Sequence, residues 1–339
     1  MKTENSNPSN SNQFRSMNDK TQAMADHVLE LMERSKRPRN QIATISGLTN
    51  TYIRDLERGH ITNVPREKLI AFATALNLDL DQIDTMMAVF DRTGLTLNDI
   101  PTFIDTAKRS AISGALLPAR DIFAYELIVL SAEIISGSQF IVNDRPTMCL
   151  LARGHRSYSD RSLLSVHPIY SELIEAIGKE RRENFFSLLA RHPVELFICK
   201  QCLEDYLLAG VDAEEQKWRV RHVSALVQSL DQYPNLRLFL TRMCTNFNFT
   251  LKLPIKKGAS DKIFFSARAP HGLQREKQGR LTGFATENPI VIRNFKDELE
   301  AVRLTVIEEY SDASRQTDYL KTLLDSALAV EREGDIGSA

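Results

Sequence analysis

Between residues 21 and 92 the apolar positions recur at spacings of three and four, and this rhythm predicts five short helices. Met24, Val28, Leu31 and Met32 line one face of the first. Ile42 with Ala43, and Ile53 with Leu56, mark the inward faces of the second and third. Pro65 opens a fourth, where Leu69, Phe72, Ala73 and Leu76 fall at i, i+3, i+4 and i+7. Leu80, Ile83, Met87 and Phe90 carry the fifth. Ahead of them, residues 1 to 20 are rich in Asn and Ser and lack any helical apolar period, as a disordered tail does.

The second and third helices are joined by local signals that leave little freedom. Pro38 suits a first helical turn, because the N–H it lacks would find no partner there. Gly47 permits the positive φ of a tight turn, Leu48 plugs the corner, and Thr49 offers an N-cap hydroxyl to the third helix. The stretch PRNQIATISGLTNTYIRDLERG, from Pro38 to Gly59, resembles the helix-turn-helix of the lambda-repressor/Cro class, the xenobiotic-response-element family of regulators. Ile42, Ala43, Gly47, Leu48 and the closing run Tyr52, Ile53, Leu56, Glu57, Arg58, Gly59 carry the likeness. The resemblance implies a DNA-binding transcription regulator, acting as a homodimer on double-stranded DNA with a palindromic operator. Where the family has Gln this chain has Arg39, which offers the same phosphate contact by charge.

The recognition helix then runs from about Asn50 to Arg58, with Asn50, Thr51 and Arg54 on its exposed face and Arg39 and Arg58 flanking it. Asn40, Thr49 and His60 complete the candidate DNA-contacting set. The alternative is a helical hairpin used only for packing. Charge separates the two: residues 31–60 hold six basic and three acidic side chains, a surplus of +3, while the whole chain has a net charge of −1. Positive charge is local, as one face meeting phosphate requires.

From residue 93 the pattern changes. Residues 93–165 read as a connector and the start of a second domain, with 122–135 a densely apolar segment that is either a buried helix or part of a dimer contact. FIV and MCLL, separated by Asn143-Asp144-Arg145-Pro146, suggest two strands joined by a turn. A long helix starts at Pro168, VELFIC reads as a buried strand, and residues 216–230 as a helix. Leu236, Leu238 and Leu240 alternate as a strand, as do Phe247, Phe249, Leu251 and Leu253. IFFSA and PIVIR are further strand candidates, and helices over 295–310 and 314–330 close the chain. The fold class is thus an all-α five-helix DNA-binding domain followed by an α+β domain over residues 166–332. That second half is similar to the sensor-like domain that follows such helix-turn-helix modules in many actinobacterial regulators. The likeness implies a regulatory or oligomerisation role with a small-molecule or protein effector.

Length, at 339 residues, is consistent with two units, and 42% hydrophobic residues suffice for two cores. No apolar stretch is long enough for a membrane span, and the polar N-terminus lacks an apolar signal region, so a cytoplasmic protein is expected. G-x-S-x-G, G-x-x-x-x-G-K-[ST] and H-E-x-x-H do not occur, and His155, His167, His192, His222 and His271 are scattered singly. The expectation is no enzyme, no cofactor and no metal. Cys199 and Cys202 form a C-x-x-C at a strand-to-helix junction, a candidate redox pair because a helix N-terminus favours the thiolate. Simple burial of both thiols is the competing reading, and Cys149 and Cys244 stand alone in the sequence. The basic runs 252–258 and 275–280 read as solvated loops or as a second nucleic-acid contact. Three functions therefore stand side by side: an operator-binding regulator, a redox-responsive one, and an antitoxin or phage-type repressor that grips a protein partner.

Overall fold

The computed structural model describes residues 9–109, 117–119, 122–150, 167–209, 213–267 and 283–336. The chain divides into a helical unit, which takes in residues 1–111 and 167–169, and a second unit built from the rest.

In the helical unit, α1 (Ser9–Ser35), α2 (Arg39–Ser46), α3 (Asn50–Glu57), α4 (Arg66–Leu76) and α5 (Leu80–Val89) follow the apolar rhythm. Val28, Ile42, Ile53, Ile70, Ile83 and Met86 are fully buried at their junction. α1 begins at Ser9, so part of the segment expected to be a disordered tail is helical. Once a helix is nucleated by packing at Met24 and Val28, adding polar turns to it costs little. A sixth helix, α6 (Ile100–Arg109), buries Phe103 and Ala107, so the helical unit reaches past residue 92.

An ion pair closes this extension. Arg66 at the start of α4 donates to both Asp99 oxygens, at 2.6 and 2.5 Å, and to the carbonyls of Thr93 and Gly94. Asp99 also caps its own turn by accepting from the Thr96 N–H at 2.7 Å and its hydroxyl at 3.0 Å. Burial works to raise the Asp99 carboxyl, but Arg66 and Thr96 outweigh it and hold the group below its ordinary value. A carboxyl depressed on folding contributes stability above its unfolded pKa and loses it as pH falls through the folded one. The helical unit should therefore lose stability as pH falls below the ordinary carboxylate range of about 4, and Asp99→Asn should flatten that dependence. The chain's one tryptophan, Trp218, lies in the second unit, so helical circular dichroism not matched by Trp218 fluorescence follows the first. An unchanged acid slope in Asp99→Asn would refute the assignment.

The second unit is a seven-stranded mixed sheet with helices on both faces. Its strands are β1 (Leu117–Ala119), β2 (Gly137–Asn143), β3 (Val194–Cys199), β4 (Leu236–Thr241), β5 (Phe247–Pro254), β6 (Lys262–Ala267) and β7 (Gly283–Thr286). They lie in the order β1-β7-β6-β5-β2-β3-β4. β2, β3 and β4 are parallel, with Leu196 opposite both Ile141 and Leu238, and the remaining pairings are antiparallel. Parallel neighbours need crossovers, and helices supply them. α8 (Tyr170–Leu189) precedes β3, while α9 (Lys200–Leu208) and α10 (Ala213–Gln232) lie between β3 and β4.

Strand alternation then sorts the core. Leu196, Ile198, Leu238 and Leu240 join α8, α9, α10 and the terminal α12 (Ala313–Ile336) on one face. Phe197, Phe249, Leu251 and Ile263 meet α11 (Pro289–Arg303) on the other. The apolar segment at 122–135 is α7 (Ile122–Glu133), whose Val129 and Ala132 pack on Phe264 and Ala285.

Three expectations are corrected. Of MCLL the described residues, Met148–Leu150, form a 3₁₀ turn with Cys149 and Leu150 buried among the helices, and residue 151 lies outside the described residues. Both edges of β2 are already occupied, by β3 and β5, so no ladder remains for a neighbouring hairpin strand. PIVIR opens α11 in place of a strand: Asn288 accepts from the N–H groups of Ile290 and Val291, and Pro289 sits in the first turn. A cap followed by Pro outweighs the β-branched run. Lys252, in the run read as a solvated loop, is buried in β5, donates to the Gly137 carbonyl at 3.2 Å, and has its ammonium pushed down to about 8 by burial. Residues 275–280, His155 and His271 lie outside the described residues.

Candidate nucleic-acid interface

The turn between α2 and α3 takes the conformation its residues dictate. Gly47 closes α2 at φ 70° and ψ 13°, in the left-handed region that a side chain resists. The Thr49 hydroxyl oxygen accepts from the Tyr52 N–H at 3.1 Å and caps α3. Pro38 stands at the N-cap of α2, extended at φ −60°. α3 ends with a second left-handed glycine, Gly59 at φ 68°, whose absent side chain would lie 2.9 Å from Thr21 Cγ2 on α1. Gly59 thus serves the turn and the close approach of α3 to α1 together.

Ile53 and Leu56 face inward, which turns Asn50, Thr51 and Arg54 outward on the opposite side of α3, all exposed. Asn40, Thr49, Arg58 and His60 lie on the same helical pair and its immediate loop, and all four are exposed. Seven of the eight candidate contacts are therefore presented together.

Arg39 is held differently. Its guanidinium donates to both carboxylate oxygens of Glu57, Nη2 reaching Oε2 at 2.6 Å and Nε reaching Oε1 at 3.2 Å. This fork joins the start of α2 to the end of α3, so Arg39 sets the angle of the pair as well as offering charge to phosphate. Arg37 donates to the Ala75 carbonyl and is likewise a tie to α4. Neither role is legible in sequence, because the partners lie 18 and 38 residues away. Lys68 sits 4.3 Å from the centre of the Tyr52 ring and adds positive charge beside α3.

In the second unit His222 plays a structural part. It is fully buried, with Nδ1 3.0 Å from the Tyr206 hydroxyl and Nε2 2.9 Å from the Thr147 carbonyl. The two thiols of the C-x-x-C have a third cysteine beside them. Cys199 ends β3 and is the N-cap of α9, and Cys202 follows in the first turn of that helix. Cys244, which stands alone in the sequence, brings its Sγ to 3.1 Å from that of Cys202. The Cys199 thiol is pushed down to about 5, first by a hydrogen bond with Cys202 and then, against burial, by Cys244 and the N–H groups of Cys202 and Gln201.

A short helix, a left-handed glycine turn and a capped second helix with outward Asn, Thr and Arg define a helix-turn-helix DNA-binding domain. Residues 28–83 match the model of the helix-turn-helix family, a span that takes in the end of α1, all of α2, α3 and α4, and the start of α5. The chain carries a DNA-binding helix-turn-helix of the transcription-regulator type. No curated protein and no solved structure matches the chain. No helix among the described residues is long and apolar enough to cross a membrane.

Proposed function

We propose that this protein is a sequence-specific transcription regulator that binds a palindromic operator as a homodimer in the cytoplasm, its activity adjusted through the second unit. The observation that carries the reading is the outward row Asn50, Thr51 and Arg54 on a capped α3 whose inner face is locked by Ile53 and Leu56. One such row contacts only a few base pairs, so useful specificity requires two copies on half-sites about one helical turn, roughly 34 Å, apart. The second unit has its own two-faced core, and the sequence holds none of the enzyme motifs sought, which favours an effector-sensing or oligomerising role over catalysis. Its likeness to the sensor-like domains of actinobacterial regulators belongs to this reading.

Binding of the full chain to sheared genomic DNA, followed by footprinting of the enriched fragments, tests it. The expected footprint is two-fold symmetric, and light scattering of the bound species gives two chains per site. A full-length monomer that protects a single half-site tightly would sink the dimer.

A further inference from the structure

The ends of β3 and β4 carry a group of thiols that DNA binding does not use. Parallel strands finish at the same edge of a sheet, and in open α/β sheets that edge is where ligands bind. β3 and β4 are parallel with Cys199 opposite Thr241, so the loop that leaves β4 emerges beside the start of α9. The Thr241 hydroxyl donates to the Met243 carbonyl at 3.0 Å, which folds the loop back and sets Cys244 against Cys202. The result is three sulfurs, from Cys199, Cys202 and Cys244, all within 4.8 Å of one another. Two are buried and the third is exposed, which gives a closed floor and an entry path.

We propose that Cys199, Cys202 and Cys244 form a binding site for one thiophilic divalent d¹⁰ cation of the zinc and cadmium class. Three sulfurs around such an ion at about 2.3 Å lie about 3.8–4.0 Å apart, so loading widens the Cys202–Cys244 approach of 3.1 Å by less than about 1 Å. That movement falls on the exposed Cys244 loop and leaves the strand and helix in place. Each thiol that binds releases its proton to solvent. Cys244 leaves the solvent side open, where water or an exogenous donor completes a four-coordinate shell. Glu204, an acidic side chain on α9, is engaged by Lys200 at 2.7 Å and by the Tyr319 hydroxyl at 3.1 Å. A disulfide switch is the rival chemistry: it needs two of these thiols and an added oxidant such as peroxide, and leaves the third without a role.

The test uses the reduced full-length chain, freed of metal and titrated with Cd²⁺ alone and then with Zn²⁺ in competition. The expected result is one Cd²⁺ per chain with thiolate-to-metal charge-transfer absorbance, and three sulfur neighbours in cadmium-edge X-ray absorption. Losing a residue that only orients a metal ligand costs about 10–100-fold, so removing a direct ligand by Cys244→Ser should weaken binding by about a hundredfold or more. Cys244 is exposed, so that variant keeps the fold, which circular dichroism verifies. Unchanged affinity in Cys244→Ser, or fewer than three sulfur neighbours, would overturn the proposal. So would a reduced chain that takes up no Cd²⁺ yet forms a Cys202–Cys244 disulfide with peroxide, and that outcome would establish the redox pair instead.

Discussion

Arg181→Ala is expected to destabilise the second unit by about 3–5 kcal/mol, a large share of the stability of a typical domain. Arg181 on α8 is buried and meets two carboxylates of α7. Its Nε and Nη2 donate to Glu133 at 2.8 and 2.7 Å, and Nη1 donates to Glu126 Oε2 at 2.5 Å. Cys149 completes the cluster 3.3 Å from Glu133 Oε1, and burial pushes its thiol far up. The guanidinium is the cation that hydrogen-bonds both carboxylates, so its removal leaves buried Glu133 and half-buried Glu126 without that partner. That penalty exceeds what the ion pair is worth in net terms, because burying Arg181 and Glu133 was itself costly. The combined replacement Arg181→Met, Glu126→Leu and Glu133→Leu should therefore cost less than Arg181→Ala alone, a strongly non-additive result. Denaturant unfolding followed by Trp218 fluorescence measures both. If Arg181→Ala shifted the transition by under about 1 kcal/mol, the cluster would be solvated and the argument wrong.

The second large effect falls on DNA. Arg54→Ala should weaken operator binding by about 1–3 kcal/mol per subunit, hence about twice that for a dimer, while binding to random DNA stays nearly unchanged. Arg54 is exposed on α3, opposite the buried Ile53 and Leu56, where an Arg pairs with guanine through two hydrogen bonds. Arg58, at the C-cap of the same helix, is placed to meet phosphate. Arg58→Ala should weaken operator and random DNA alike and lower the salt slope by roughly one per subunit contact. Arg39→Ala is a poorer probe of phosphate contact than its position suggests. Losing the fork to Glu57 also frees the angle between α2 and α3, so specific binding should fall more than non-specific binding. Salt titrations on both kinds of DNA separate these cases. Equal losses on operator and random DNA for Arg54→Ala would make it a gripping residue.

The helix-turn-helix is legible almost residue by residue in the sequence, because its signals are local. A left-handed turn at Gly47, a cap at Thr49 and a core stripe at Ile53 and Leu56 each depend on neighbours within four positions. The strands VELFIC, LRLFL and FNFTLKLP are legible for the same reason, since alternation or a short apolar run bounded by turns is a short-range property. Met148–Leu150 form no strand because a strand needs a free edge, and β3 and β5 take both edges of β2. PIVIR carries a readable signal, Asn288 before Pro289, that its β-branched composition masks. What no window of sequence holds is the meeting of distant side chains. Arg39 finds Glu57 only once α2 and α3 are set at their angle, and Arg181 finds Glu126 and Glu133 only when α7 lies on α8. Cys244 joins Cys202 from 42 positions away because parallel strands end together. The sequence by itself determined the DNA-binding element and the class of the second unit. Charge pairing and the thiol cluster were decided by the tertiary structure, since their partners are chosen by topology and not by spacing along the chain.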